Sequence, residues 1–254
     1  MFIQEAENLY RLWVPFEKIA TSVFLFITQS GPVLYDCATT AADAEHVILP
    51  SLIQMHIAPE SVHALVLSHS HADHSGGLDT LLQHMPQLKV LACAPQKYKT
   101  AVCVPKDEEI LFGDILALHL PGHTADCLGL YDRRTGTLLS ADALQLEGID
   151  RFGCSVKYPD DYKKSIAKIR RLAPRRLLTS HVYAPYGEKA EGQQEITRYL
   201  DSCLDVLREV EAFAVSQPPD AKAITEAFRA RHPHWPLLPQ STVESLLKGQ
   251  NKEK

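Results

Sequence analysis

Several protein classes require features that this sequence has in short supply. Its six cysteines (Cys37, Cys93, Cys103, Cys127, Cys154, Cys203) are scattered and form no C-x-x-C pair. That pattern speaks against a structural zinc knuckle and against a disulfide frame, and it reads as reduced thiols in a cytoplasmic protein. No apolar run approaches the ~20 residues needed to span a bilayer, so no membrane partner is expected. The opening Met1-Phe2-Ile3-Gln4-Glu5-Ala6-Glu7 shows no basic stretch ahead of an apolar one, and no secretory signal is read there. Positive charge is also short. Against 31 Asp and Glu stand 26 Lys and Arg, a formal net charge of −5, which makes nucleic acid an unexpected partner. No internal repeat is evident. What remains is 254 residues of ordinary enzyme-like composition, 45% apolar and 22% charged, long enough to bury a full core.

Apolar runs between turn residues predict strands over 8–14, 22–28, 32–37, 63–68, 88–92, 114–120, 127–132, 137–140 and 176–180. Helical spacing covers 40–55, where Pro50 should kink or restart the helix, and 76–84, which Ser75 should cap. Another helix should begin at a cap on Asp160 or Asp161 and run to Arg171. Strands in both halves with helices between them predict an α/β (α+β) protein. The character changes at Glu191, where Ile196, Tyr199, Leu200, Cys203, Leu207 and Val210 mark a long amphipathic helix. Two shorter helices are expected over 220–230 and 241–247, joined by the rigid link Arg231-His232-Pro233-His234-Trp235-Pro236. The expected division is a domain over 1–190 and a helical extension over 191–254 that covers or flanks a site.

One dense stretch stands against the absences: Leu65-Val66-Leu67-Ser68-His69-Ser70-His71-Ala72-Asp73-His74-Ser75-Gly76-Gly77. Metal-ligand side chains crowd the end of an apolar strand, and His69 and His71 can face one side of extended chain because side chains alternate with period two. One loop cannot complete a hydrolytic site, which needs three or more protein ligands for each ion. His123, Asp142 and His181 each directly follow an apolar strand and are the candidates to join it. Any one alone would read as a hydrogen-bonded polar residue at a strand end. Histidine and aspartate without thiolate suit Zn²⁺, Mn²⁺ or Fe and do not choose among them; zinc is the expected metal, with Mn or Fe as alternatives. His46, His56, His63, His84 and His119 lie in element bodies or away from the converging ends and read as structural or exposed.

On these residues the chain resembles the metallo-β-lactamase-fold superfamily in its non-lactamase branches, such as hydroxyacylglutathione hydrolases and lactonases. His69-Ser70-His71-Ala72-Asp73-His74 matches the H-x-H-x-D-H motif in full, and His123, Asp142 and His181 match the later ligand motifs in order. The resemblance implies a four-layer αββα sandwich with a C-terminal helical extension and two divalent metal ions. It would place His69, His71 and His123 on the first ion and Asp73, His74 and His181 on the second. Asp142 would bridge them, with a hydroxide between the ions as nucleophile. Asp73 and Asp142 are thereby the expected catalytic residues, Asp73 by orienting the nucleophile and relaying a proton.

The expected activity is hydrolysis of a small acyl substrate, a thioester, lactone or other ester. Tyr183 and Tyr186, shortly after His181, are candidate substrate contacts. Gln145 stands where acyl-homoserine lactonases place a tyrosine, and Glu191 to Asp220 is too acidic to grip a glutathione carrier. Two other readings use the same residues. A phosphodiesterase could use Lys163, Lys164, Lys168, Arg170, Arg171, Arg175 and Arg176, although such a run on a helix usually faces water. An idle, metal-bound regulatory protein that keeps a small-molecule ligand is the other, and a homodimer stays open throughout.

Overall fold

Side chains of the first strands alternate between two apolar partners rather than between core and water, and this sets the architecture. The computed structural model describes residues 1–250, so 251–254 of the expected extension lie outside the described residues. β1 (Ile3–Ala6), β2 (Leu9–Phe16), β3 (Ile19–Thr28) and β4 (Gly31–Tyr35) form an antiparallel meander. β5 (Ala64–Val66), β6 (Lys89–Leu91) and β7 (Val102–Cys103) add to it in parallel, giving seven strands in chain order. The second sheet holds β8 (Ile110–Leu111), β9 (Ile115–His119), β10 (Leu128–Asp132) and β11 (Thr137–Ala141). β12 (Gly148–Ile149) and β13 (Phe152–Gly153) stand apart as a small ribbon. β14 (Arg176–Tyr183) pairs in parallel with β11, and β15 (Gly187–Glu191) closes the edge.

In the first sheet Leu12, Val23, Leu25, Leu34 and Leu65 face a helical layer through Ala44, Ile48, Leu52 and Leu81. Their neighbours Leu9, Phe24, Phe26, Val33, Tyr35 and Val66 face the second sheet through Ala117, Leu128, Leu130, Leu139 and Leu178. The second sheet repeats the device, turning Leu118, Leu138 and Leu177 to Tyr162, Ile166, Ile196 and Leu200. A run such as Val23-Phe24-Leu25-Phe26 is continuous because successive residues serve different cores. The result is an αββα sandwich.

The first helical layer departs from the expected regular helices. Residues 41–54 comprise α1 (Ala41–Asp43), a π-helical turn over Ala44–Ile48 and α2 (Leu49–Gln54). Pro50 lies in the first turn of α2, where its missing N–H leaves nothing unpaired, so the irregularity falls upstream of it. The stretch 72–84 is split into α3 (Ala72–Ser75) and α4 (Leu78–His84). Ser75 caps neither, because its Oγ donates back to the His71 carbonyl at 2.9 Å. The break is set by packing: a Cβ on Gly76 would lie 1.7 Å from the Thr39 carbonyl oxygen.

The second layer begins with α5 (Pro159–Leu172), whose N-cap is Tyr158 with no side-chain hydrogen bond. Asp160 and Asp161 lie within its first turn, where they favour the positive end of the helix dipole rather than cap it. α6 (Gly192–Val215), α7 (Ala221–Arg231) and α8 (Gln240–Gln250) follow and share one apolar core with α5 and the second sheet. β15, which the sequence did not suggest, supplies the edge strand from which α6 departs. Among the described residues no helix is long and apolar enough to cross a membrane.

Candidate metal centre

Each of the seven singled-out side chains reaches one place, by different routes. His69 and His71 leave the carboxyl end of β5, and Asp73 and His74 ride on α3. His123 sits in the loop after β9, and Asp142 directly follows β11. His181 lies within β14 rather than beyond its end, because that strand runs on to Tyr183. The register of β11 against β14 shifts between Leu139 and Ala141, and Ala141 has φ +46°, so a bulge redirects the chain at Asp142. Gly122 (φ +156°) lets the loop of His123 press on Tyr162, where a Cβ would come within 2.7 Å of the ring. Four donors therefore come from the first sheet's side and three from the second.

The donors fall into two groups. In one, His69 Nε2 and His123 Nε2 each lie 3.0 Å from His71 Nδ1. In the other, His181 Nε2 lies 3.2 Å from Asp73 Oδ2 and 3.4 Å from Asp142 Oδ1, and His74 Nε2 lies 3.4 Å from Asp73 Oδ2. Asp142 Oδ2 stands between the groups, 3.5 Å from His74 Nε2, 3.8 Å from His123 Nε2 and 4.0 Å from His69 Nε2.

Hydrogen bonds on the far sides of the rings decide which nitrogen offers a lone pair. His123 Nδ1 donates to the Ser155 carbonyl at 2.7 Å and His181 Nδ1 to the Ala20 carbonyl at 2.9 Å. His74 Nδ1 donates to Asp36 Oδ2 at 2.7 Å. Ser68 Oγ donates to the same carboxylate at 2.8 Å, which leaves Oγ to accept from His69 Nδ1 at 3.0 Å. In four imidazoles Nδ1 is thus committed outward, and Nε2 is the nitrogen turned to the centre. Asp36 and Ser68 were not anticipated from the sequence. The signal was available for Asp36, an acid directly after the apolar strand Val33-Leu34-Tyr35.

Burial pushes the imidazoles of His69 and His123 down and takes His71 to about 4, so this group consists of neutral donors near neutral pH. Burial acts against His74 too, but Asp73, Asp142 and Asp36 outweigh it and raise that ring well above its ordinary value. His181 is raised to about 9 by Asp142 and Asp73 against the effect of burial. Burial alone would raise the Asp142 carboxyl, yet His181 and His74 hold it well below the usual carboxylate range. The buried atoms His74 Nε2 and Asp142 Oδ1 have no hydrogen-bond partner. Each such atom costs ~1–3 kcal/mol unless something satisfies it, and a cation in the second group would satisfy both. With five imidazole nitrogens and two carboxylates, the donor set fits two divalent ions.

A cavity of about 270 Å³ opens over the groups, bounded by His71, Asp73, His123, Asp142 and His181 together with Phe16, Ile19, Ile149, Phe152 and Pro239. Tyr183 lines it and is buried, whereas Tyr186 does not and lies in a different cleft with Trp235 and Ser202. Gln145 is locked: Oε1 accepts from Ser155 N at 3.1 Å, and Nε2 donates to the Asp142 carbonyl at 2.9 Å and to Tyr183 Oη at 3.0 Å. Tyr183 Oη accepts that bond, and the Asp142 carboxylate stands near enough to draw its own proton.

The remaining histidines stay away. His84 pairs with Glu45, His119 meets the Pro105 carbonyl, and His232 stacks on Phe228 beside Glu209. The basic residues near α5 are largely committed to acids, Lys163 to Glu211, Lys164 to Asp161, Lys168 to Asp107, Arg170 to Asp201 and Arg176 to Glu191.

Two sheets between helical layers, with two adjoining donor groups at one edge, define an αββα protein with a dinuclear metal-binding site. The family model described as the metallo-beta-lactamase superfamily matches residues 18–90. A solved metallo-beta-lactamase family protein from Thermus thermophilus superposes with a TM-score of 0.73 at 16% identity, over 98% of this chain and 95% of that one. An uncharacterised Bacillus subtilis protein, YobT, is 32% identical over 33% of this chain and 47% of its own length. A hydroxyacylglutathione hydrolase of Idiomarina loihiensis is 26% identical over 60% of this chain and 61% of its own length. The chain thus spans about half to three-fifths of these two curated relatives. It has the metallo-beta-lactamase superfamily fold, with relatives among the hydroxyacylglutathione hydrolases.

Proposed function

We propose that the protein is a metal-dependent hydrolase of a small acyl substrate (a thioester, lactone or other ester), with zinc in both donor groups. The observation that carries this reading is Asp142 Oδ2, placed within 4.0 Å of His69, His123 and His74, so that one carboxylate serves two donor sets. His69, His71 and His123 would hold one ion, Asp73, His74 and His181 the other, and Asp142 both. Bound there, the pair supplies acidified water near neutral pH and polarises the acyl oxygen.

The chain's own groups do the rest. Asp36, Ser68 and the carbonyls of Ala20 and Ser155 keep four imidazoles turned with Nε2 to the centre. Asp73, the partly exposed carboxylate at the cavity floor, orients the reacting water and passes its proton towards the leaving group. Tyr183, which lines the cavity, would contact the substrate beside Asp142. Tyr186, outside the cavity, is not needed for these roles. In this reading residues 1–190 form the catalytic domain and the extension from 191 flanks the site. Six unpaired cysteines support a reducing compartment, the cytoplasm. The paired state of the basic residues near α5 favours acyl over phosphodiester substrates.

The test is elemental analysis together with a panel of thioester, lactone, aryl ester and phosphodiester on metal-loaded protein. Two ions per chain and acyl turnover that a chelator abolishes and zinc restores are expected. Full metal load with no acyl turnover, or with phosphodiester cleavage alone, overturns the reading.

A further inference from the structure

The wall of the cavity carries information that the metal donors do not. Apart from those donors, its sides are largely apolar, made by Phe16 and Ile19 of the first sheet's meander, Ile149 and Phe152 of the ribbon, and Pro239 of the extension. No lysine or arginine lines it among the described residues. The apolar surface continues outward, because Phe152 and Leu237 remain 40% and 42% exposed where the ribbon meets the extension. This lip is fixed in place: Gly153 N donates to the Leu237 carbonyl at 3.0 Å, and Thr242 Oγ1 accepts from Val156 N and donates to the Cys154 carbonyl.

Two cations stand near the cavity, one paired and one outside the wall. Arg151, next to the lip, is paired with Glu17 at 2.7 Å and lies over the Phe152 ring. Lys157 is close enough for its charge to act on His71 and His123, yet it is not part of the wall.

We infer that the site takes an uncharged, apolar acyl group and gives no purchase to an anionic carrier of the glutathione or nucleotide-thiol type. This rests on the hydrolase reading and narrows it, in a direction that the names of the relatives do not suggest. Two arguments support it. Glutathione presents two carboxylates, and neither would meet an unpaired cation at the wall or lip, so their desolvation would go unanswered. Conversely, a cavity of about 270 Å³ is of the size that takes a small ligand such as a medium acyl chain with its reacting carbonyl. Each methylene that enters is removed from water against Ile149, Phe152 or Ile19, worth about three- to fourfold in binding.

The experiment uses metal-loaded, full-length protein and uncharged thioesters from acetyl to decanoyl, with the glutathione thioester of lactate alongside. The expected result is a kcat/KM that climbs about three- to fourfold per methylene up to roughly octanoyl and then levels, with the glutathione thioester at least about a hundredfold below the best uncharged substrate. Ile149→Ala should lower the octanoyl-to-acetyl ratio, and Lys157→Ala should leave it unchanged. A flat chain-length series, or a glutathione thioester that matches the best uncharged ester, overturns the inference. So does a Lys157→Ala variant that loses only the glutathione thioester through KM.

Absence of all turnover would remove the hydrolase reading instead, and calorimetry with two unreactive ligands then decides the pocket by itself. Octanamide binding at least as tightly as S-octylglutathione supports an apolar, carrier-indifferent site. S-octylglutathione binding tighter than octanamide overturns it.

Discussion

The two donor groups sit side by side yet are built on opposite principles. His69, His71 and His123 are three neutral rings, each driven down by burial and free of carboxylates of their own. The neighbouring group mixes two imidazoles with Asp73 and Asp142 and has Asp36 behind it, so that its rings are raised against burial. The imidazole trio offers an ion neutral lone pairs and shares one carboxylate, Asp142, with its neighbour. The carboxylate group adds negative charge that attracts a cation, but it also attracts protons in the cation's place. Position in the fold does not distinguish them, since both draw on both sheets. Their chemistry does.

The strongest way to break the contrast is to remove the residue common to both sides. Asp142→Ala should leave less than half the wild-type metal by elemental analysis and reduce turnover on the order of a thousandfold. A variant with full metal and an unchanged rate would show that Asp142 joins nothing.

Asp36→Asn acts first on the carboxylate group, through His74, and reaches the trio only at one remove, through Ser68 and His69. It weakens the acceptor that orients His74 while leaving the His123 and His181 partners intact. Competition titration with a chromophoric chelator should show one of the two sites weakened by ~10–100-fold and the other within a few-fold of wild type.

pH separates the groups without mutation. Protons leave the imidazole trio low in the range, His71 at about 4, so its affinity should be nearly flat between about pH 6 and 8. In the carboxylate group His181, raised to about 9, holds a proton through that interval. His74, raised well above its ordinary value, holds one too, and a metal ion must displace them, so affinity there should rise with pH by at least about tenfold per unit. Two titration curves that move together would erase the distinction. The smallest effect is expected from Tyr183→Phe, whose ring lies 6.0 Å from that of His181. Losing one neutral hydrogen bond should lower kcat by about tenfold or less and leave metal content untouched.

How much of this was readable beforehand depended on whether a residue's chemistry was declared in its own neighbourhood. His123, Asp142 and His181 could be chosen because each interrupts or ends an apolar strand with a ligand-type side chain, and they do reach the Asp73 neighbourhood. Asp36 sits in the same setting, but its work appears only once Ser68 and His74 come within reach from 32 and 38 positions away. The carbonyls of Ala20 and Ser155 carry no signal in a sequence at all. The break between α3 and α4 could not be foreseen from periodicity, because what prevents a continuous helix is the Thr39 carbonyl pressed on Gly76. The extension shows the same limit. Its helices were plain from their apolar spacing, while the part that reaches the cavity is Pro239, in the irregular segment between two of them.

The split of donors between the sheets has a mechanical corollary. Neither ion site is complete on one half of the sandwich: His69 and His71 need His123 from across the gap, and Asp73 and His74 need His181. The ions would therefore act as rivets through the seam, beside the apolar core between the sheets and cross-seam hydrogen bonds such as the Leu128 amide to the Ser68 carbonyl, the Tyr35 hydroxyl to the Leu128 carbonyl and His181 Nδ1 to the Ala20 carbonyl. Prying the halves apart empties the centre, and emptying the centre loosens the halves, so the melting temperature should climb with free zinc as steeply as mass action allows.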